Sequence, residues 1–237
     1  MLTPYREKMD TKQTSCKQCG ICCTKGGAAL HSTDIALINK DHILRKDLVT
    51  IRKGEFAYNP VADQVQATKA EIVKLRGTGQ EWTCCYYDPM SRGCTIYDNR
   101  PMACGVLKCW DPEESLSLVE TNLLGRTEIL GQNESLKGLV AEYERACPLP
   151  DFTRLPDALL EHPDPIIASL EDAVNRDLLF RDRVVAKSKQ ILEEEMFLFG
   201  RPLFQLLQPL GILIMQSGNR LLLQLKDTQQ GSRNEKI

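Results

Sequence analysis

The run Cys16-Lys-Gln-Cys19-Gly-Ile-Cys22-Cys23 places four thiols within eight residues. A thiolate is a soft anionic ligand, and four so close together repel one another unless a cation shares them. Soft sulfur donors select zinc, copper(I) and iron–sulfur clusters. The C-x2-C spacing of Cys16 and Cys19 lets one tight turn aim two sulfurs at one metal. Gly20 follows Cys19, where such a turn calls for a positive φ that glycine reaches without strain. The run reads as a metal knuckle extended by a third and a fourth thiol.

Six further cysteines, Cys84, Cys85, Cys94, Cys104, Cys109 and Cys147, bring the total to ten. A disulfide framework is the rival explanation for so many. Against it, residues Met1 to Asp10 are charged and carry no apolar signal-peptide stretch. A chain of 237 residues can also build a core without disulfides. The expectation is reduced thiols, bound metal and a cytoplasmic location.

Two metal chemistries fit the spacing. Cys16, Cys19 and Cys22 match the first three ligands of a ferredoxin-type [4Fe–4S] run, whose C-x3-C-P completion is missing locally. The fourth thiolate would come from a distance, from Cys147 ahead of Pro148 or from Cys104. Zinc is the alternative, with Cys16 and Cys19 as one half-site and Cys104-x4-Cys109 as another. Adjacent Cys22 and Cys23 point in different directions, so two sites can be filled. The C-x3-C-x2-C spacing of radical enzymes that use S-adenosylmethionine is absent. So are a Ser-His-Asp set, a phosphate loop and a nucleotide fingerprint. An enzyme is not excluded, because a metal with an open position needs no further motif.

Near these cysteines, Arg100 can donate to sulfur and offset thiolate charge, or simply pair with Asp98 at the surface. Tyr97 can pack over the site or in an ordinary core. The three histidines, His31, His42 and His162, are sparse, and His31, though near the knuckle, reads as a solvated surface residue.

Formal net charge is −2, which gives no electrostatic reason to expect nucleic acid. The most apolar stretch, Met196 to Met215, is interrupted by Arg201, glutamines, prolines and glycines, so no membrane span is expected. The elements that must position the cysteines fall into two regions, 1–150 and 151–237. In the first, Ser32-Thr33-Asp34 caps a helix over Ile35 to Asn39. Leu48 to Arg52 and Glu55 to Tyr58 flank Lys53-Gly54 as a β-hairpin. Glu71 to Leu75 and Trp82 to Tyr87 read as strands, and Asp88 to Gly93 as a turn. Pro112 opens a helix carrying Leu116 to Leu123, and a second helix runs from Glu134 to Ala146.

The second region is helical. Ile167, Leu170, Val174 and Leu178, then Val185 to Phe199, recur at helical steps, as one long helix or two. Gly200 and Pro202 end it, a short apolar helix follows over Phe204 to Leu210, and a hairpin turns at Ser217-Gly218-Asn219. The fold class is α+β: a small irregular β-containing metal-binding region wrapped by helices, then a mainly helical C-terminal region. That helical region offers the surface for a protein partner.

Cys16-x2-Cys19-Gly-x-Cys22-Cys23, Asp34-Ile35, Cys85-Tyr-Tyr-Asp and Cys94-Thr-Ile-Tyr97-Asp-Asn-Arg100-Pro101-Met-Ala-Cys104 resemble the YkgJ-type cysteine-cluster family. That family is also described as the CxxCxxCC zinc- or iron-chelating domain. The resemblance covers about residues 14–150. It implies metal binding through eight cysteines, Cys16, Cys19, Cys22, Cys23, Cys85, Cys94, Cys104 and Cys147, with Cys84 and Cys109 outside the pattern. The cofactor it implies is an iron–sulfur cluster or zinc, the latter in a structural adaptor. One branch is similar to flagellin lysine N-methylases, which leaves a cluster-dependent protein-modifying enzyme as a further alternative.

Overall fold

A computed structural model describes residues 13–226. The charged opening segment and the polar tail after Lys226 lie outside the described residues.

The first region begins with the cysteine loop and a 3-10 turn, Cys23–Lys25. Helix α1, Ile35–Asn39, follows where its cap signal predicts. The capping carboxylate does other work: Asp34 accepts from the N–H of His31 and of Met102, both at 2.8 Å. This ties the start of α1 to the segment that carries Cys104.

Strands β1 (Leu48–Ile51), β2 (Phe56–Asn59), β3 (Gln64–Ala67) and β4 (Ile72–Leu75) come next. The expected β1–β2 hairpin does not form. β1 pairs antiparallel with β4, and β2 with β3. Lys53-Gly54 is a turn, with Gly54 at φ 88°, but it hands the chain from one ladder to the next. Buried Glu55 fixes that handover by accepting from the Arg52 N–H at 3.0 Å and from Arg201 Nε at 2.6 Å.

Two short ladders then carry cysteines. β5 (Gly77–Thr78) pairs with β6 (Thr83–Cys84), and β7 (Tyr87–Asp88) with β8 (Gly93–Cys94). The Trp82 to Tyr87 run is thus two short strands with Cys85 and Tyr86 between them. Helix α2, Met102–Val106, holds Cys104. Helix α3, Glu113–Ser117, is shorter than the apolar pattern predicts, because the chain turns through positive φ at Glu120 and Asn122. After α4 (Arg126–Leu130), helix α5 covers Glu134–Ala146, with the Asn133 side chain capping Leu136 N–H.

The remainder is helical, as expected: α6 (Leu155–Glu161), α7 (Pro163–Val185), α8 (Lys189–Glu193), α9 (Glu195–Phe199) and α10 (Leu203–Leu207). The long amphipathic stretch breaks after Val185, and Ser188 starts the next helix by accepting from Ile191 N–H. β9 (Ile212–Ser217) and β10 (Arg220–Leu225) form the terminal hairpin. No described helix is long and apolar enough to cross a membrane.

The β1–β4 ladder organises the interior. Alternation sends Leu48, Thr50, Val73 and Leu75 to one face, where they meet Phe197, Leu198, Phe199, Tyr143 and Phe180. Thr50 Oγ1 donates to the Phe197 carbonyl at 2.6 Å. Arg126 donates to the Leu198 carbonyl at 2.7 Å. One core therefore draws on residues from both sides of residue 150. A second core gathers Phe152, Leu159, Val174, Leu207 and Leu223.

Candidate metal centre

Two left-handed residues shape the first loop: Gln18 at φ 52° and Gly20 at φ 74° flank Cys19. The Gln18 N–H donates to Cys16 Sγ at 3.3 Å, the kind of backbone bond that steadies a thiolate ligand. Gly20 carbonyl accepts from Cys23 N–H at 2.9 Å and Thr24 N–H at 3.1 Å. Gly20 is required twice over, since a Cβ there would also strike the Tyr87 ring. The expected role of Gly20 in the turn is thus what the backbone adopts.

This loop faces Cys109. The thiol of Cys109 is raised by burial and then by the charges of Cys22, Cys19 and Cys16. All four are exposed. A second group lies deeper. Burial pushes Cys104 up to about 12, with Cys84, Cys22, Cys23 and Cys94 adding to the rise. Cys23 is likewise pushed up to about 12, by burial first and then by Cys22, Cys84 and Cys94. Burial raises Cys94 too, against the Ile96 N–H and the Arg100 charge. Cys84 goes the other way, down to about 7, chiefly through its hydrogen bond with Cys85.

Mutual repulsion and burial both favour protonated thiols here, and a bound cation reverses that balance. The thiols stand within electrostatic reach of one another and not in finished ligand geometry. Among the described residues no group of three or more His, Cys, Asp or Glu side chains forms a ready chelate. The donor chemistry nevertheless suits a thiophilic metal: all ten cysteines are free thiols, and thiols from separate loops bear on Cys104 and on Cys109.

Cys85 borders the inner group through its hydrogen bond with Cys84, whereas Cys147 stands apart from both groups. Cys85 Sγ lies 3.6 Å from the Asp47 carbonyl, and its thiol is raised, first by its bond with Cys84. Cys147 is a core residue. Its Sγ is 3.9 Å from the Arg176 carbonyl, and the charges that bear on it are Asp177, Arg176, Arg52 and Arg181, none of them a thiol. Helix α5 does deliver Cys147 to its end, but it delivers the thiol into the helical core beside Tyr143 and Phe180. Cys84 and Cys109, which fall outside the recognised pattern, sit among the clustered thiols. The C-x4-C spacing of Cys104 and Cys109 is the signal that points to the second.

Arg100 takes the site-facing role. Its Cζ lies 3.9 Å from the centre of the Tyr97 ring, it donates to the Tyr97 carbonyl, and its charge bears on Cys94. His31 departs from its expected place at the surface. It is buried, with Nδ1 at 2.9 Å from the Thr121 carbonyl, because its backbone is held by Asp34 and its ring by the turn after α3.

Residues 15–122 match the family model described as "CxxCxxCC: Putative zinc- or iron-chelating domain". This stretch is similar to a CxxCxxCC domain. No curated protein and no solved structure matches the chain. The CxxCxxCC match takes in nine of the ten cysteines, Cys16 through Cys109, and leaves out Cys147. The zinc or iron chelation in that family's description agrees with the thiol donors of this stretch.

Proposed function

We propose that this chain is a metal-binding protein that holds an iron–sulfur cluster on Cys16, Cys19, Cys22 and Cys109. A second thiophilic metal sits on Cys23, Cys84, Cys94 and Cys104. The observation that carries the first assignment is the position of Cys109, whose thiol feels Cys22, Cys19 and Cys16 together. It supplies the fourth thiolate that the C-x2-C-x2-C run lacks. Bound there, a cluster would provide one-electron redox chemistry. The chain's own part is to hold four thiolates, with the Gln18 N–H on Cys16 and positive charge from Arg100 near the inner group. With thiols in free form throughout, a reducing, cytoplasmic setting suits the chain.

Zinc in a structural adaptor is the second reading. It is favoured by the solvent exposure of Cys16, Cys19, Cys22 and Cys109, since zinc has no redox chemistry for solvent and oxygen to disturb. Anaerobic purification followed by metal and sulfide analysis separates the two. Iron with acid-labile sulfide and a visible band that bleaches in air supports the cluster. Stoichiometric zinc with neither iron nor sulfide overturns it in favour of the adaptor.

A further inference from the structure

The face of the β1–β4 ladder turned away from the helical core lines a cavity of about 690 Å³. That volume is within the ~300–1,000 Å³ of small-molecule sites. Its walls are apolar, with Val49, Ile51, Ile72, Phe152 and Leu206 among them. Three cations also line it, Lys25 at the exposed rim and Lys74 and Arg201 further in.

Lys74 is out of place in this setting. It pairs in register with Val49, on a face otherwise built from Val49, Ile51 and Ile72. Burial lowers its pKa first and Arg201 lowers it further, with only the Cys84 thiol opposing them; among the described residues no carboxylate bears on it. Arg201, by contrast, is matched. Its Nε donates to buried Glu55 at 2.6 Å, and its Cζ lies 5.9 Å from the centre of the Trp82 ring. The other titratable groups on the lining are Lys25 and Glu120, both exposed, His31, whose Nδ1 is engaged with Thr121, and Tyr58, bonded to Asp63. Among the described residues the cavity interior therefore holds one amine, Lys74, with no carboxylate partner.

An amine among aliphatic side chains is costly unless an anion meets it. The one anion-forming neighbour, Cys84, belongs to the inner thiol group and shares its charge with any metal held there. We propose that the cavity binds a single-chain amphipathic carboxylate, its head group at Lys74 and its hydrocarbon tail along Val49, Ile51, Phe152 and Leu206. A monoanion matches the amine of Lys74 inside the cavity, and the apolar walls match a tail. The proposal does not rest on which metal the thiols hold.

Decanoate and decanol are the probes, titrated calorimetrically into the full metal-loaded chain. Decanoate is expected to bind at least tenfold more tightly than decanol. Lys74→Met should weaken decanoate at least tenfold and leave decanol unchanged, whereas Lys74→Arg should keep decanoate within a few-fold. Ala57→Trp, which fills the cavity from β2, should abolish both. Metal content and melting temperature are measured on each variant, so that loss of the metal centre is seen separately from loss of the ligand. Equal binding of the two probes, no binding of decanoate, or full binding by Lys74→Met or Ala57→Trp overturns the proposal.

Discussion

Cys22 and Cys23 are neighbours in the chain with Sγ atoms 4.0 Å apart, yet they stand at the junction of two thiol groups. Cys22 bears on Cys109 outside and on Cys94 and Cys104 inside, while Cys23 joins the less exposed set of Cys84, Cys94 and Cys104. A doubled cysteine is what lets one short loop serve both.

From this follows a contrast between two single substitutions. Cys109→Ser should lose the outer metal, seen as a fall in the metal-to-protein ratio. Cys147→Ser should keep its full metal complement. It should instead lose stability by about 1–3 kcal/mol, because a hydroxyl is placed in an apolar core. Full metal retention in Cys109→Ser, or metal loss in Cys147→Ser, would return Cys147 to the ligand set.

The difficulty of placing Cys147 shows which part of the fold was legible. Helix α5 reads correctly from Glu134 to Ala146 because its cap and its apolar period are local signals. The terminal hairpin reads correctly for the same reason, its turn residues lying between two apolar runs. The destination of the thiol at the helix end is not local. It depends on Arg52, Asp177 and Arg176, which come from other parts of the chain. The Lys53-Gly54 turn repeats the lesson: the turn is readable, but the β1–β4 pairing across Val73 and Leu75 is set by a core completed from α9. Counting cysteines against a pattern likewise could not tell that Cys84 and Cys109 join the groups.

Tyr143 should be a sensitive point of that core. Its hydroxyl donates to Asp177 Oδ1 at 2.6 Å and accepts from Arg181 Nη2 at 2.6 Å, all three groups buried. Tyr143→Phe keeps the ring contacts with Phe180 and Phe199 but leaves Asp177 and Arg181 each short of a partner. The expected cost is about 1–3 kcal/mol in chemical denaturation, with bound metal unchanged. A loss below about 0.5 kcal/mol would mean that the Asp177–Arg181 pair is sufficient by itself.

Acid should act through Glu144. Burial raises its carboxyl, but hydrogen bonds and charge from Arg52 and Arg126 outweigh that and hold it below the usual range. A carboxylate with a lowered folded pKa contributes stability above its unfolded value, and that contribution disappears as pH falls through the folded one. Wild type should therefore melt above Glu144→Gln at neutral pH, with the gap closing below about pH 4.5, the ordinary glutamate value. A gap that stays constant from pH 7 to pH 3 would assign the effect to packing.

Metal removal should be felt beyond the cysteine loops. Cys84 is part of the same core as Phe197, Leu198 and Phe199, and Cys23 packs against that core. The Thr50 to Phe197 and Arg126 to Leu198 hydrogen bonds cross residue 150. A four-thiolate metal contributes folding free energy directly. Stripping it with a strong chelator under reducing conditions should lower the melting temperature of the chain in one cooperative transition, followed together by far-ultraviolet circular dichroism and tryptophan fluorescence. Both tryptophans, Trp82 and Trp110, report on the cysteine region, while most of the helical signal comes from α5 and α7. If the fluorescence transition moves down while the helical one stays in place, residues 1–150 and 151–237 are separate folding units, and the shared core does not couple them.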